Sequence, residues 1–90
     1  ILNNMPQKAE EPLDDMVKEQ IEEIINYLNE QTGRKFRTTH KSSIRIIRAR
    51  INEGYTIDDF KGVVWRKSNA WLLDPKMVNY LRPETLFGPK

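Results

Sequence analysis

Seven cationic side chains, Arg34, Lys35, Arg37, Lys41, Arg45, Arg48 and Arg50, fall within residues 34–52, and no acid stands among them. Cations at that density are the chemistry of phosphate recognition. They release condensed counterions from a nucleic-acid backbone, and the affinity they confer falls steeply with salt. Lys41, Arg45 and Arg48 stand at i, i+4 and i+7, one stripe along a helix, and Arg34, Lys35 and Arg37 adjoin it. These six are the candidate DNA contacts. Two other uses of the same charges stay open: neutralising acids elsewhere in the domain, or simple solvation, since surface ion pairs contribute little to stability. Phe36 is the only ring inside the run, so the aromatic interleaving of a single-strand surface is thin.

A second group is Trp65 with Lys61 one turn earlier and Arg66 beside it. An aromatic flanked by cations has the composition of a protein-interface anchor. The competing expectation, and the favoured one, is that the apolar C-terminal segment folds back and covers Trp65.

Catalytic chemistry has little to stand on. His40 is the sole imidazole and there is no Cys, so thiolate metal sites, thiol nucleophiles and disulfides are excluded. The four Gly are scattered and make no phosphate-cradling loop. Asp58 and Asp59 are accounted for by a helix start. His40 reads as an exposed loop or first-turn residue. No cofactor, metal or small-molecule substrate is implied, and the chain is expected not to be an enzyme.

These side chains need elements to hold them. Val17, Ile21, Ile24, Ile25 and Leu28 form one apolar face, predicting a helix from Asp14 that ends at Gly33, with Glu19, Glu22, Glu23, Asn26 and Glu30 facing water. Lys35-Phe36-Arg37 reads as a short extended connection with Phe36 turned inward. Thr38 or Thr39 is the expected cap of a second helix running to about Asn52 and stopping at Gly54. Ile44, Ile47 and Ile51 are its expected core face, with Ile46 and Arg50 pointing elsewhere.

Thr56 and Asp59 make a capping-box-like start for a third helix. Its core side is expected to carry Phe60, Val63, Val64, Lys67 and Trp71. Asp74-Pro75 opens a further turn through Met77 and Tyr80, Pro83 ends it or begins another, and Gly88-Pro89 terminates the ordered region. Trp71, Tyr80, Leu81, Leu86 and Phe87 are expected in the core, because so apolar an end has to dock on something.

The fold class is therefore a small, compact all-α domain: three main helices, then one or two short C-terminal helical turns. Ninety residues make one domain with a modest core. Residues 1–13 read as linker or disordered terminus and 14–88 as the domain. The chain opens on Ile1, which suggests a fragment whose missing part lies upstream.

The net charge of +2 hides polarity: residues 1–33 sum to −6, 34–52 to +7 and 53–90 to +1. No run reaches the length of a membrane span and no secretory signal is present. With the absence of Cys, this fits a cytosolic protein.

The run from Ile24 to Gly33 with Lys35-Phe36-Arg37, the run from Ile47 to Phe60, then Trp71, Asp74-Pro75-Lys76-Met77 and Tyr80 to Gly88 resemble a known family. They are similar to the conserved C-terminal domain of phage replication proteins, the replisome-organiser or DnaD-like initiation proteins of phages and prophages. The resemblance covers about residues 21–88, and its final block with two Pro is the most specific part.

It implies a non-catalytic role in replication initiation within the bacterial host cytoplasm. The upstream region would be an origin-binding winged helix, and this region would meet DNA or the host helicase and its loader. Gly62 and Trp65 depart from the family, which usually has polar or charged residues there. Gly62 is expected to weaken its helix by roughly 1 kcal/mol against Ala. The alternative function is a protein-interaction module, docking on the helicase or loader through Lys61, Trp65 and Arg66 with no nucleic-acid contact.

Overall fold

The computed structural model describes residues 15–88. The expected linker, the helix entry at Asp14 and the Pro89 terminus lie outside the described residues. Four α-helices follow in order, α1 Asp15–Thr32, α2 Lys41–Asn52, α3 Ile57–Trp71 and α4 Pro83–Leu86, with a 3-10 turn Val78–Tyr80 between α3 and α4. There is no strand among the described residues, so the fold is all-α as expected. No helix among them is long and apolar enough to cross a membrane.

α1 forms because its apolar residues recur at helical spacing, and it buries that stripe: Ile21, Ile24, Ile25 and Leu28 are the buried residues of the helix. Gly33 ends it at φ 73°, a left-handed conformation that favours Gly, with its N–H donating to the Asn29 carbonyl at 2.8 Å. Asn29 then clamps the following connection. Its Oδ1 accepts from the Phe36 N–H at 2.8 Å and its Nδ2 donates to the Phe36 carbonyl at 3.0 Å. Both polar groups of an extended residue are thereby satisfied without a sheet, and Phe36 is fixed half-buried against the core.

The entry to α2 differs from expectation. Thr38 and Thr39 lie in a turn that closes the His40 N–H on the Arg37 carbonyl at 3.3 Å. That turn delays the helix, so His40 is the N-cap and its Nδ1 accepts from the Ser43 N–H at 3.4 Å. Ile47 is fully buried, with Ile44 and Ile51 packed beside the core as expected.

Ile46 and Arg50 do not point away. Ile46 packs against the core, and Arg50 is half-buried with Nη1 donating to the Phe87 carbonyl at 3.2 Å. The reason is that α4 packs on α2 and gives this helix a second covered side.

α3 packs on α1. The capping box is present: Thr56 Oγ1 accepts from the Asp59 N–H at 3.2 Å and Asp59 Oδ2 from the Thr56 N–H at 2.9 Å. Phe60, Val64 and Ser68 are buried at four-residue spacing. Lys67 is exposed, contrary to expectation, and its Nζ stands 4.7 Å from the Trp71 ring centroid. Trp71 itself is half-buried and outside the central cluster. A stripe with a period of four takes in Ser68 and leaves position 67 at the rim.

The C-terminal segment docks. Asp74 Oδ1 accepts from the N–H groups of Lys76 at 2.8 Å and Met77 at 3.2 Å, starting the expected turn. Pro83 then opens α4 at its first turn, where its missing N–H costs nothing. Leu81, Pro83 and Phe87 are buried, and the Phe87 ring meets Phe60 edge-on at 5.1 Å. Gly88 is required after α4, because a Cβ there would run into the Glu84 carbonyl oxygen.

Arg34 Nη2 donates to the Val78 carbonyl at 3.0 Å, a second guanidinium tie onto this segment. Tyr80 is 44% exposed and so is not core, the correction following from its place in an outward 3-10 turn.

Burial of Phe87 against Phe60 is the fastening contact, so Phe87→Ala is expected to lower unfolding free energy by about 3 kcal/mol in a urea titration. An unchanged midpoint would show that the segment is not fastened there.

Candidate nucleic-acid interface

The six candidate DNA contacts separate into two groups. Lys35, Arg37, Lys41 and Arg45 are exposed, and their side chains have no hydrogen-bond or ion-pair partner among the described residues. Lys35 and Arg37 flank Phe36 on the clamped connection. Lys41 and Arg45 follow on α2 one turn apart, on the same face. Arg34, by contrast, is half-buried and committed to the Val78 carbonyl. Arg48 is half-buried and has an interaction of its own.

The acids of α1 are answered from another direction. Lys61 Nζ on α3 reaches Glu23 Oε2 at 2.6 Å and lies 5.4 Å from the Tyr27 ring centroid. Glu19, Glu22, Glu23, Asn26, Tyr27, Glu30 and Lys61 line one groove, so the acidic face carries its own cation. Lys35, Arg37, Lys41 and Arg45 make no ion pair with it among the described residues.

The three residues of the proposed trio around Trp65 have different surroundings. Lys61 is engaged by α1. Arg66 instead lines a cleft of about 190 Å³ with Arg50, Tyr55, Asp59, Phe60 and Val63. Gly62 leaves room for that arginine, since a Cβ there would stand 3.3 Å from Arg66 Nη1. Trp65 is 56% exposed, and the C-terminal segment does not cover it. That segment spends its apolar side chains on Phe60 and α2 instead.

A third concavity, of about 320 Å³, lies at the start of the basic stretch, lined by Lys35, Phe36, Arg37, His40, Ser43 and Glu84. Glu84 reaches it from α4, across more than forty residues of chain, so nothing local in the sequence marks it as part of this surface. Its Oε2 stands 3.9 Å from His40 Nδ1. The same nitrogen stands 3.4 Å from the Ser43 N and 3.1 Å from the Ser43 Oγ, both nearer than the carboxylate. With both side chains well exposed, the approach contributes at most a few tenths of a kcal/mol to about 1 kcal/mol.

Residues 24–90 match the family described as conserved phage C-terminus (Phg_2220_C). No curated protein and no solved structure matches the chain. The match takes in the rear of α1, the basic stretch, α3 and the docked C-terminal segment, well over half of the chain. The chain belongs to this family.

The hydrogen bond to Glu23 is the largest influence lifting the Lys61 ammonium above the ordinary lysine value of 10.5; burial opposes it, and the charges of Glu23, Asp58 and Tyr27 add to it. A raised cation stabilises the fold fully below the unfolded-state pKa and loses that contribution as pH rises through the folded one. The urea midpoints of the wild type and Lys61→Met should therefore differ at neutral pH and converge above the lysine range. A difference that persists at high pH would contradict the pairing.

Proposed function

We propose that this member of the conserved phage C-terminus family is a non-catalytic accessory domain of a phage or prophage replication initiation protein. It binds DNA through Lys35, Arg37, Lys41 and Arg45 and helps bring in the host helicase-loading machinery, in the cytoplasm of the bacterial host. One observation carries the reading. Lys35, Arg37, Lys41 and Arg45 are exposed and have no partner among the described residues, while Glu23 on the acidic face is paired by Lys61. Exposed cations that no acid of the described residues engages are placed for a partner outside the chain, and phosphate is the partner such a stretch binds through counterion release. The family's phage origin and the similarity of the C-terminal block to replication initiation proteins give that partner its setting.

A second reading is favoured by Trp65 alone. A large aromatic more than half exposed on a rigid helix is a protein-contact anchor, and the partner would be the host helicase or its loader.

One comparison separates the two. Replacing Lys35, Arg37, Lys41 and Arg45 together by Glu should abolish low-salt DNA binding while the helical circular dichroism is retained. In the wild type, log affinity against log salt should have a slope of about −0.9 for each duplex phosphate engaged. Unchanged affinity in the variant overturns the DNA reading. Loss of helicase-loader capture on Trp65→Ala, with no DNA binding at low salt, establishes the second.

A further inference from the structure

The cleft between the clamped connection, the start of α2 and α4 has a composition that a plain phosphate-binding surface does not explain. Two exposed cations, Lys35 and Arg37, stand at it with one aromatic ring, Phe36, and one carboxylate, Glu84. A duplex read only through its backbone offers phosphates, and a carboxylate inside that contact is repulsive. Glu84 is exposed enough to be reached, with 38% of its side chain accessible. His40 Nδ1 beside it stands at 3.9 Å, beyond hydrogen-bond distance, so the carboxylate keeps acceptor capacity. Phe36 is half-buried against the core and is one of the residues lining the cleft, and the clamp from Asn29 fixes its backbone there.

We infer that this cleft is a subsite for one unpaired guanine base of single-stranded DNA. The inference rests on the DNA reading above and names its substrate. The base lies against Phe36, and its Watson–Crick edge meets the Glu84 carboxylate. The flanking phosphates fall to Lys35 and Arg37, with the strand continuing towards Lys41 and Arg45.

Stacking on an aromatic wall requires a base that has left the duplex. An ionised carboxylate is acceptor-only, with two oxygens side by side. Guanine is the base whose pairing edge places two donors, N1–H and the N2 amino group, next to each other. Adenine and cytosine place an amino group beside an accepting ring nitrogen, and thymine flanks its single N3–H with two carbonyls. Each of those turns at least one lone pair on the carboxylate. A volume of about 320 Å³ lies at the lower end of the roughly 300–1,000 Å³ range of small-ligand sites, enough for one base and not for a base pair between walls.

The test is fluorescence anisotropy on the whole chain at low salt with three probes: labelled oligothymidine, the same strand with guanines spaced along it, and a duplex of equal length. The guanine-bearing strand should bind roughly tenfold tighter than oligothymidine, the size of discrimination a bidentate base contact supplies. The duplex should be weaker than the guanine-bearing strand. Glu84→Gln, with thermal melting monitored to establish that it folds, should bring the ratio between the two single strands towards one. Equal affinity for all three probes, or a ratio that survives Glu84→Gln, overturns the inference and leaves the DNA reading standing. No binding to any probe overturns both.

Discussion

A helical domain with so few buried residues cannot leave the segment 71–88 loose, and the arrangement follows from how it is tied down. Phe87 meets Phe60 edge-on, Leu81 and Pro83 are buried, and two guanidinium groups take main-chain carbonyls of the segment, Arg34 that of Val78 and Arg50 that of Phe87. Fully burying one large apolar side chain contributes about 1.5–3 kcal/mol, and a hydrogen bond from a charged donor about as much when it satisfies an otherwise unpaired group. For a chain of this size, such contacts are a large share of net stability.

This docking also decides which charges face outward. Arg34 and Arg50 belong to the basic stretch in sequence, yet in the fold they are fasteners. Of the other five, Arg48 is half-buried with an interaction of its own; the exposed set is Lys35, Arg37, Lys41 and Arg45, and beside it α4 brings Glu84 to the cleft that Phe36 also lines. On the acidic surface Glu23 of α1 is paired by Lys61 of α3, and Lys35, Arg37, Lys41 and Arg45 pair with no acid of α1 among the described residues. The polarity seen as three charge blocks along the chain thus survives as two surfaces.

Much of the frame was legible because local rules govern it. The apolar face of α1, the Gly33 stop, the Thr56–Asp59 capping box, and the turns opened by Asp74 and Pro83 each depend on residues a few positions apart. The failures share a different cause. Periodicity reads one buried side of a helix, and α2 has two covered sides, so Ile46 and Arg50 were misplaced. His40 displaces the threonines as cap because Thr38 and Thr39 lie in a turn that shifts the helix start. Trp65 stays exposed and Tyr80 turns outward because the segment's path was not fixed by its composition. Glu84 and Phe36 meet only through that path, and no spacing in the sequence announces it.

In the proposed binding mode, the basic stretch and the adjoining cleft form one contact surface. Amide chemical-shift perturbation by NMR, titrating the isotope-labelled chain with a guanine-bearing single strand, tests it most directly. Shifts should concentrate on residues 35–45 and at Glu84, with α1 from Glu19 to Glu30 unmoved. Shifts centred on Trp65, or spread evenly over the molecule, would contradict it.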